Sequence, residues 1–162
     1  MIIHYMQDRD RALPLSPIPR KNWEIDAYPV NEIAEYVQDV SQGDIDVLVE
    51  EYYNKYDMIL DGRDPEEFKK HVAVQAGIEI GFERFLEEKK YQAIVTHFGD
   101  LGSLEQLPGL AIQRLMEKGY GFGGEGDWKT AAMGIEAVYI DGDTTIQNLQ
   151  NELRWNSMYF SK

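Results

Sequence analysis

Apolar residues recur at helical spacing through the middle of the chain. Ile33, Tyr36, Val37 and Val40 fall on one helical face behind Asn31, a capping residue, and Gly43 offers a stop. Asp44 can cap a second helix with Ile45, Leu48, Val49, Tyr52 and Tyr53 on one side and Glu50, Glu51 and Lys55 on the other. Asp64 and Pro65 supply a cap and a preset first residue for a long third helix running to about Glu88, with Ile78, Phe82, Phe85 and Leu86 as its later stripe. Pro108 opens a fourth, which carries Leu110, Ile112, Leu115 and Met116 and stops at Gly119.

The period changes at Tyr91. "YQAIVTHFGD", residues 91–100, is a compact apolar run that reads as a strand buried on both faces, and such strands belong to parallel sheets covered by helices. A second strand is expected at 135–140, and Ile146, Leu149 and Leu153 predict a closing helix. The expected fold is therefore α/β: a parallel sheet flanked by helices in a single domain. Its ligand edge should lie where the Tyr91 strand ends, at His97 and Phe98, because open α/β sheets bind ligands at the carboxyl ends of their strands, although a histidine satisfied by a neighbouring backbone group accounts for His97 equally well. Pro14, Pro17 and Pro19 keep the first 22 residues out of a helix and predict an extended arm.

Composition narrows the function. The 29 acidic against 16 basic residues give a formal charge of −13, which repels nucleic acid and anionic lipid. The absence of cysteine excludes disulfides and thiolate metal sites and suits a cytoplasmic protein. No run reaches the ~20 apolar residues of a membrane span, and the N-terminus has no signal-peptide core.

One stretch carries candidate chemistry. "GFGGEGDWK", residues 121–129, contains the glycine spacing that cradles a dinucleotide pyrophosphate, but a helix is expected before it and Glu125 would face two phosphates. Alternatively, Gly121, Gly123, Gly124 and Gly126 form a mount that leaves the Glu125 carboxylate unobstructed, with Trp128 and Lys129 walling a polar-ligand pocket. An exposed loop acid with no role has the same spacing. His4 and His71 have no second ligand at usable spacing and read as surface or structural residues.

"YGFGGEGDWKTAA", with "QLPGLAIQRLMEKG" before it, resembles the L-arabinose isomerase family, and so does "DVLVEEYYNKYDMILDGRD" upstream. The likeness extends from about Trp23 to Met133, while "GIEAVYID" and "NELRWN" resemble the family's extreme C-terminal segment. In the family these blocks are not adjacent. The resemblance implies an arm at 1–22, a central α/β domain at 23–133 and a C-terminal segment at 134–162. It also implies isomerisation of L-arabinose to L-ribulose through an enediol, with manganese held by two glutamates and two histidines. Glu125 matches the first of those glutamates, as metal ligand and catalytic group, and Phe98 matches an aromatic lining the sugar pocket. The second glutamate and both histidines belong to a segment without counterpart here, and none of His4, His71 and His97 matches them. The expectation is thus an isomerase-like chain with an incomplete metal shell, forming homo-oligomers as the family does. A small isomerase assembled from several subunits and a nucleotide-binding module on Gly121–Gly126 remain as alternatives.

Overall fold

A computed structural model describes residues 2–4, 7–8, 23–97, 99, 101–132 and 134. In chain order these form strands β1 (Ile2–His4), β2 (Gln7–Asp8), β3 (Trp23–Glu24) and β4 (Ala27–Pro29), then helices α1 (Val30–Gln38), α2 (Gln42–Lys55) and α3 (Pro65–Lys89). Strand β5 (Ala93–Thr96), helix α4 (Gly109–Glu117) and strand β6 (Gly121–Gly124) follow. β5 and β6 pair in parallel, and α4 makes the crossover that parallel neighbours require. β1 and β2 pair antiparallel with β4 and β3. The domain is α/β, as the period change at Tyr91 indicates.

The helix ends follow local chemistry. Asp64 accepts the Glu67 N–H at 2.9 Å and Pro65 occupies the first helical position, so α3 starts where expected. At its far end Lys90 takes a left-handed conformation, φ 62°, which lets the Tyr91 N–H reach the Leu86 carbonyl at 2.7 Å. Gly119, φ 96°, ends α4 in the same way, with the Tyr120 N–H on Leu115 O at 3.1 Å.

Two expected caps are displaced. Ser41, not Asp44, caps α2, accepting the Asp44 N–H at 3.2 Å, and Gly43 therefore lies in the first turn of α2 rather than ending α1. Asp44 instead pairs with Arg84 at 2.8 Å. Asn31 lies inside α1, and its side chain accepts the Ser103 N–H at 3.3 Å, tying α1 to the loop before α4. Tyr53 also departs from expectation: Tyr52 is fully buried, whereas the turn of α2 carries Tyr53 outward.

The main core joins Ile33, Ile78, Phe82, Phe85, Leu86, Ile94, Ile112 and Leu115 between α1, α3, α4 and the sheet. A smaller cluster of Val49, Tyr52, Val72 and Ala76 joins α2 to α3. Beside it Glu79 is buried without exposure, and its Oε2 accepts from Arg114 Nε at 2.7 Å and Tyr52 Oη at 2.5 Å. Lys118 Nζ stands 3.0 Å from the other oxygen. Burial works against the charge on Arg114, but the Tyr56 hydroxyl and the carboxylates of Glu79 and Glu51 outweigh it and hold its pKa above the ordinary value. Burial and the Glu79 charge push the Tyr52 phenol upward.

Candidate functional site

β5 lies in register with β6, Thr96 opposite Gly124, so the two chains leave the sheet side by side as His97 and Glu125. The Gly126 N–H crosses back to the Thr96 carbonyl at 3.3 Å and closes this edge. Glu125 and Gly126 have φ 53° and 86°, and the Asp127 N–H donates to Gly124 O at 3.0 Å, making a tight turn with both central residues left-handed. A non-glycine residue in that conformation costs on the order of 1 to 2 kcal/mol. The turn presents Glu125 exposed at the carboxyl end of β6.

The glycine stretch is thus not the loop that its spacing suggests. Gly121 to Gly124 are the strand β6 itself, and of the four glycines only Gly126 uses a positive φ. Gly123 serves close packing instead: a Cβ there would lie 2.0 Å from the Asp127 carbonyl oxygen, which folds back over the strand. Gly121 lies against Gly134 from the following segment.

Residues 128–132 are helical, and Asp127 caps them. Its Oδ1 accepts the Lys129 and Thr130 N–H groups, both at 3.1 Å, and its Oδ2 accepts the Thr130 hydroxyl at 2.7 Å. The Thr130 hydroxyl, followed by its backbone N–H, holds the Asp127 carboxyl below the usual carboxylate range. These are the donors that a pyrophosphate would need at a helix N-terminus, and a carboxylate already takes them. Gly121–Gly126 therefore does not form a phosphate cradle, although strand and helix stand in the order that such a cradle requires. Asp127 escaped the sequence reading, and its signal was an aspartate placed just before a helix start.

Trp128 is half-buried. It packs over Ala93, Val95 and Ala131, and Lys129 Nζ lies 5.7 Å from its ring centroid. His97 is exposed, and its Nδ1 accepts the Gly99 N–H at 3.0 Å. His71 contacts Gln106 Nε2 at 2.8 Å through Nδ1, a structural partner far along the chain from the edge. A cavity of about 280 Å³ lies elsewhere, between α1, α2, α3 and Ser103 to Glu105, and none of the candidate residues lines it. Phe98, the expected strand at 135–140 and the expected C-terminal helix lie outside the described residues.

Manganese takes about six hard donors in near-octahedral order. Among the described residues no group of three or more His, Asp or Glu side chains converges on one point. Glu125 is a single exposed carboxylate, and the described residues do not fit a manganese site.

The region matched by known proteins includes this edge. A family model described as the L-arabinose isomerase central domain matches residues 19–141. L-arabinose isomerase of Geobacillus kaustophilus is 43% identical over 124 residues, which are 76% of this chain and 25% of that protein. The enzyme of Serratia proteamaculans is 45% identical over 121 residues, 74% of this chain and 24% of that protein. L-arabinose isomerase 1 of Clostridium acetobutylicum is 47% identical over 111 residues, 68% of this chain and 23% of that protein. The chain spans about a quarter of the length of these curated relatives.

Proposed function

The chain belongs to the L-arabinose isomerase family, and from that premise we propose that it carries the central-domain share of an aldose-ketose isomerase centre. The edge formed by the ends of β5 and β6 takes the sugar, and Glu125 is the carboxylate that this domain contributes to metal and substrate. The observation that carries the proposal is the left-handed turn at Glu125, which holds an acid at the carboxyl end of a parallel strand at an energetic cost. Such strain persists where the surrounding structure over-determines it, and it is enriched at ligand sites.

The same centre is incomplete in the described residues. The whole sequence holds three histidines: His71 is bonded to Gln106, His97 to Gly99, and His4 belongs to strand β1. Enediol chemistry needs a group to take the C2 proton and an electrophile on the carbonyl oxygen. Glu125 can serve as the base, and further ligands must come from other residues. We therefore propose weak L-arabinose binding without turnover by the isolated chain, in a cytoplasmic, self-associating protein. The test is an L-arabinose to L-ribulose assay with and without manganese, alongside ligand-observed NMR with L-arabinose. Sugar contact without ribulose supports the proposal, and ribulose formation abolished by Glu125→Gln overturns it in favour of a complete centre.

A further inference from the structure

His97 has no part in the chemistry assigned so far, yet its geometry is specific. The Gly99 N–H donates to Nδ1 at 3.0 Å, so Nδ1 must carry a lone pair. A neutral imidazole with Nδ1 as acceptor has its proton on Nε2, across the ring. A Cβ at Gly99 would lie 2.8 Å from His97 Cε1 and 3.0 Å from Nδ1, so an added side chain there would shift the ring. Both features sit on the exposed residue that directly follows Thr96, whose register partner Gly124 directly precedes Glu125. The edge thus joins an acceptor carboxylate, Glu125, to a neighbour whose free nitrogen is a donor.

We propose that His97, held by Gly99 in its Nε2–H form, donates a hydrogen bond to a hydroxyl of the sugar at this edge and so orients it toward Glu125. The inference rests on the edge being a carbohydrate site. A polyhydroxylated ligand needs donors as well as acceptors, and the neutral ring supplies a donor without adding charge next to the carboxylate. The chemistry is orientation of a hydroxyl, with no proton transfer.

Two measurements on the full-length chain test it. Long-range ¹⁵N–¹H correlation of the imidazole should show an unprotonated Nδ1 and a protonated Nε2, a preference lost in Gly99→Ala. A dominant Nδ1–H form overturns the proposal. L-arabinose titration, followed at the Gly126 amide and the Trp128 indole, then compares His97→Ala with His97→Gln, whose amide can donate from a similar position. One lost neutral hydrogen bond weakens sugar binding roughly three- to tenfold. The expected result is that loss in His97→Ala with most of it restored in His97→Gln. Equal binding by wild type and His97→Ala overturns the role of His97 while leaving the carbohydrate site standing. Absence of any L-arabinose response in the wild type overturns the carbohydrate site itself, and the proposal with it.

Discussion

Arg114 Nε donates to Glu79 Oε2 at 2.7 Å inside the layer between α2, α3 and α4, where the two side chains are 5% and 0% exposed. Removing Arg114 leaves the buried Glu79 carboxylate with the part-exposed Lys118 as its remaining counter-charge, whereas an apolar replacement of both is closer to neutral. Arg114→Met should therefore cost about 3 to 5 kcal/mol in urea unfolding, and Glu79→Leu combined with Arg114→Met much less than the sum of the single changes. Additive costs would show that the pair is not coupled.

Close approach between helices makes a second expectation. A Cβ at Gly81 in α3 would lie 2.6 Å from the Val37 Cα in α1, whereas one at Gly109, the first residue of α4, meets nothing within 4 Å. Gly81→Ala forces the helices apart and should cost about 1 to 3 kcal/mol or more. Gly109→Ala should be neutral or stabilise by about 0.4 to 1 kcal/mol through the unfolded chain. Thermal unfolding of both variants distinguishes them, and equal behaviour would mean that α1 and α3 do not pack as described.

The Asp127 cap predicts an acid-dependent contribution. Its folded pKa lies below the ordinary aspartate value of 3.8, chiefly because of the Thr130 hydroxyl. A depressed carboxylate contributes stability above its unfolded pKa and loses it as pH falls through the folded value. As pH falls from about 5 through the folded pKa, the wild type should lose this contribution, while Asp127→Ala lacks it throughout and is less stable at neutral pH. Unfolding midpoints of the two proteins should converge on acidification. A constant difference across that range would contradict the cap.

Much of this architecture is legible in the residues. Asp64-Pro65 and Gly119 mark helix ends because their chemistry acts within a few residues, and "AIVT" reads as a buried strand because Ala93, Ile94 and Val95 are consecutive apolar residues and Thr96 is β-branched. The misplaced caps have a common cause. Ser41 and Asp44 are both competent to start a helix, and Asp44 is taken by Arg84, 40 residues away. The glycine stretch misleads for a related reason: Gly123 is required by the backbone of Asp127 packed over it, and only the folded chain brings those atoms together. Glu125 could be singled out from sequence, but its left-handed turn and its place beside His97 depend on strand register. Arg114 shows as a charge on the apolar face of α4, but its partner on α3 comes from tertiary packing.

The central claim is that this domain offers Glu125 as one ligand of a shared centre, and manganese titration by calorimetry on wild type and Glu125→Gln tests it most directly. A lone carboxylate leaves most of the coordination shell to water, so the wild type should bind no tighter than roughly 0.1 mM, the weak end of hard-cation sites, and Glu125→Gln should bind more weakly still. Sub-micromolar affinity that disappears in Glu125→Gln would contradict the account, because it would require a complete set of ligands around Glu125 in this chain.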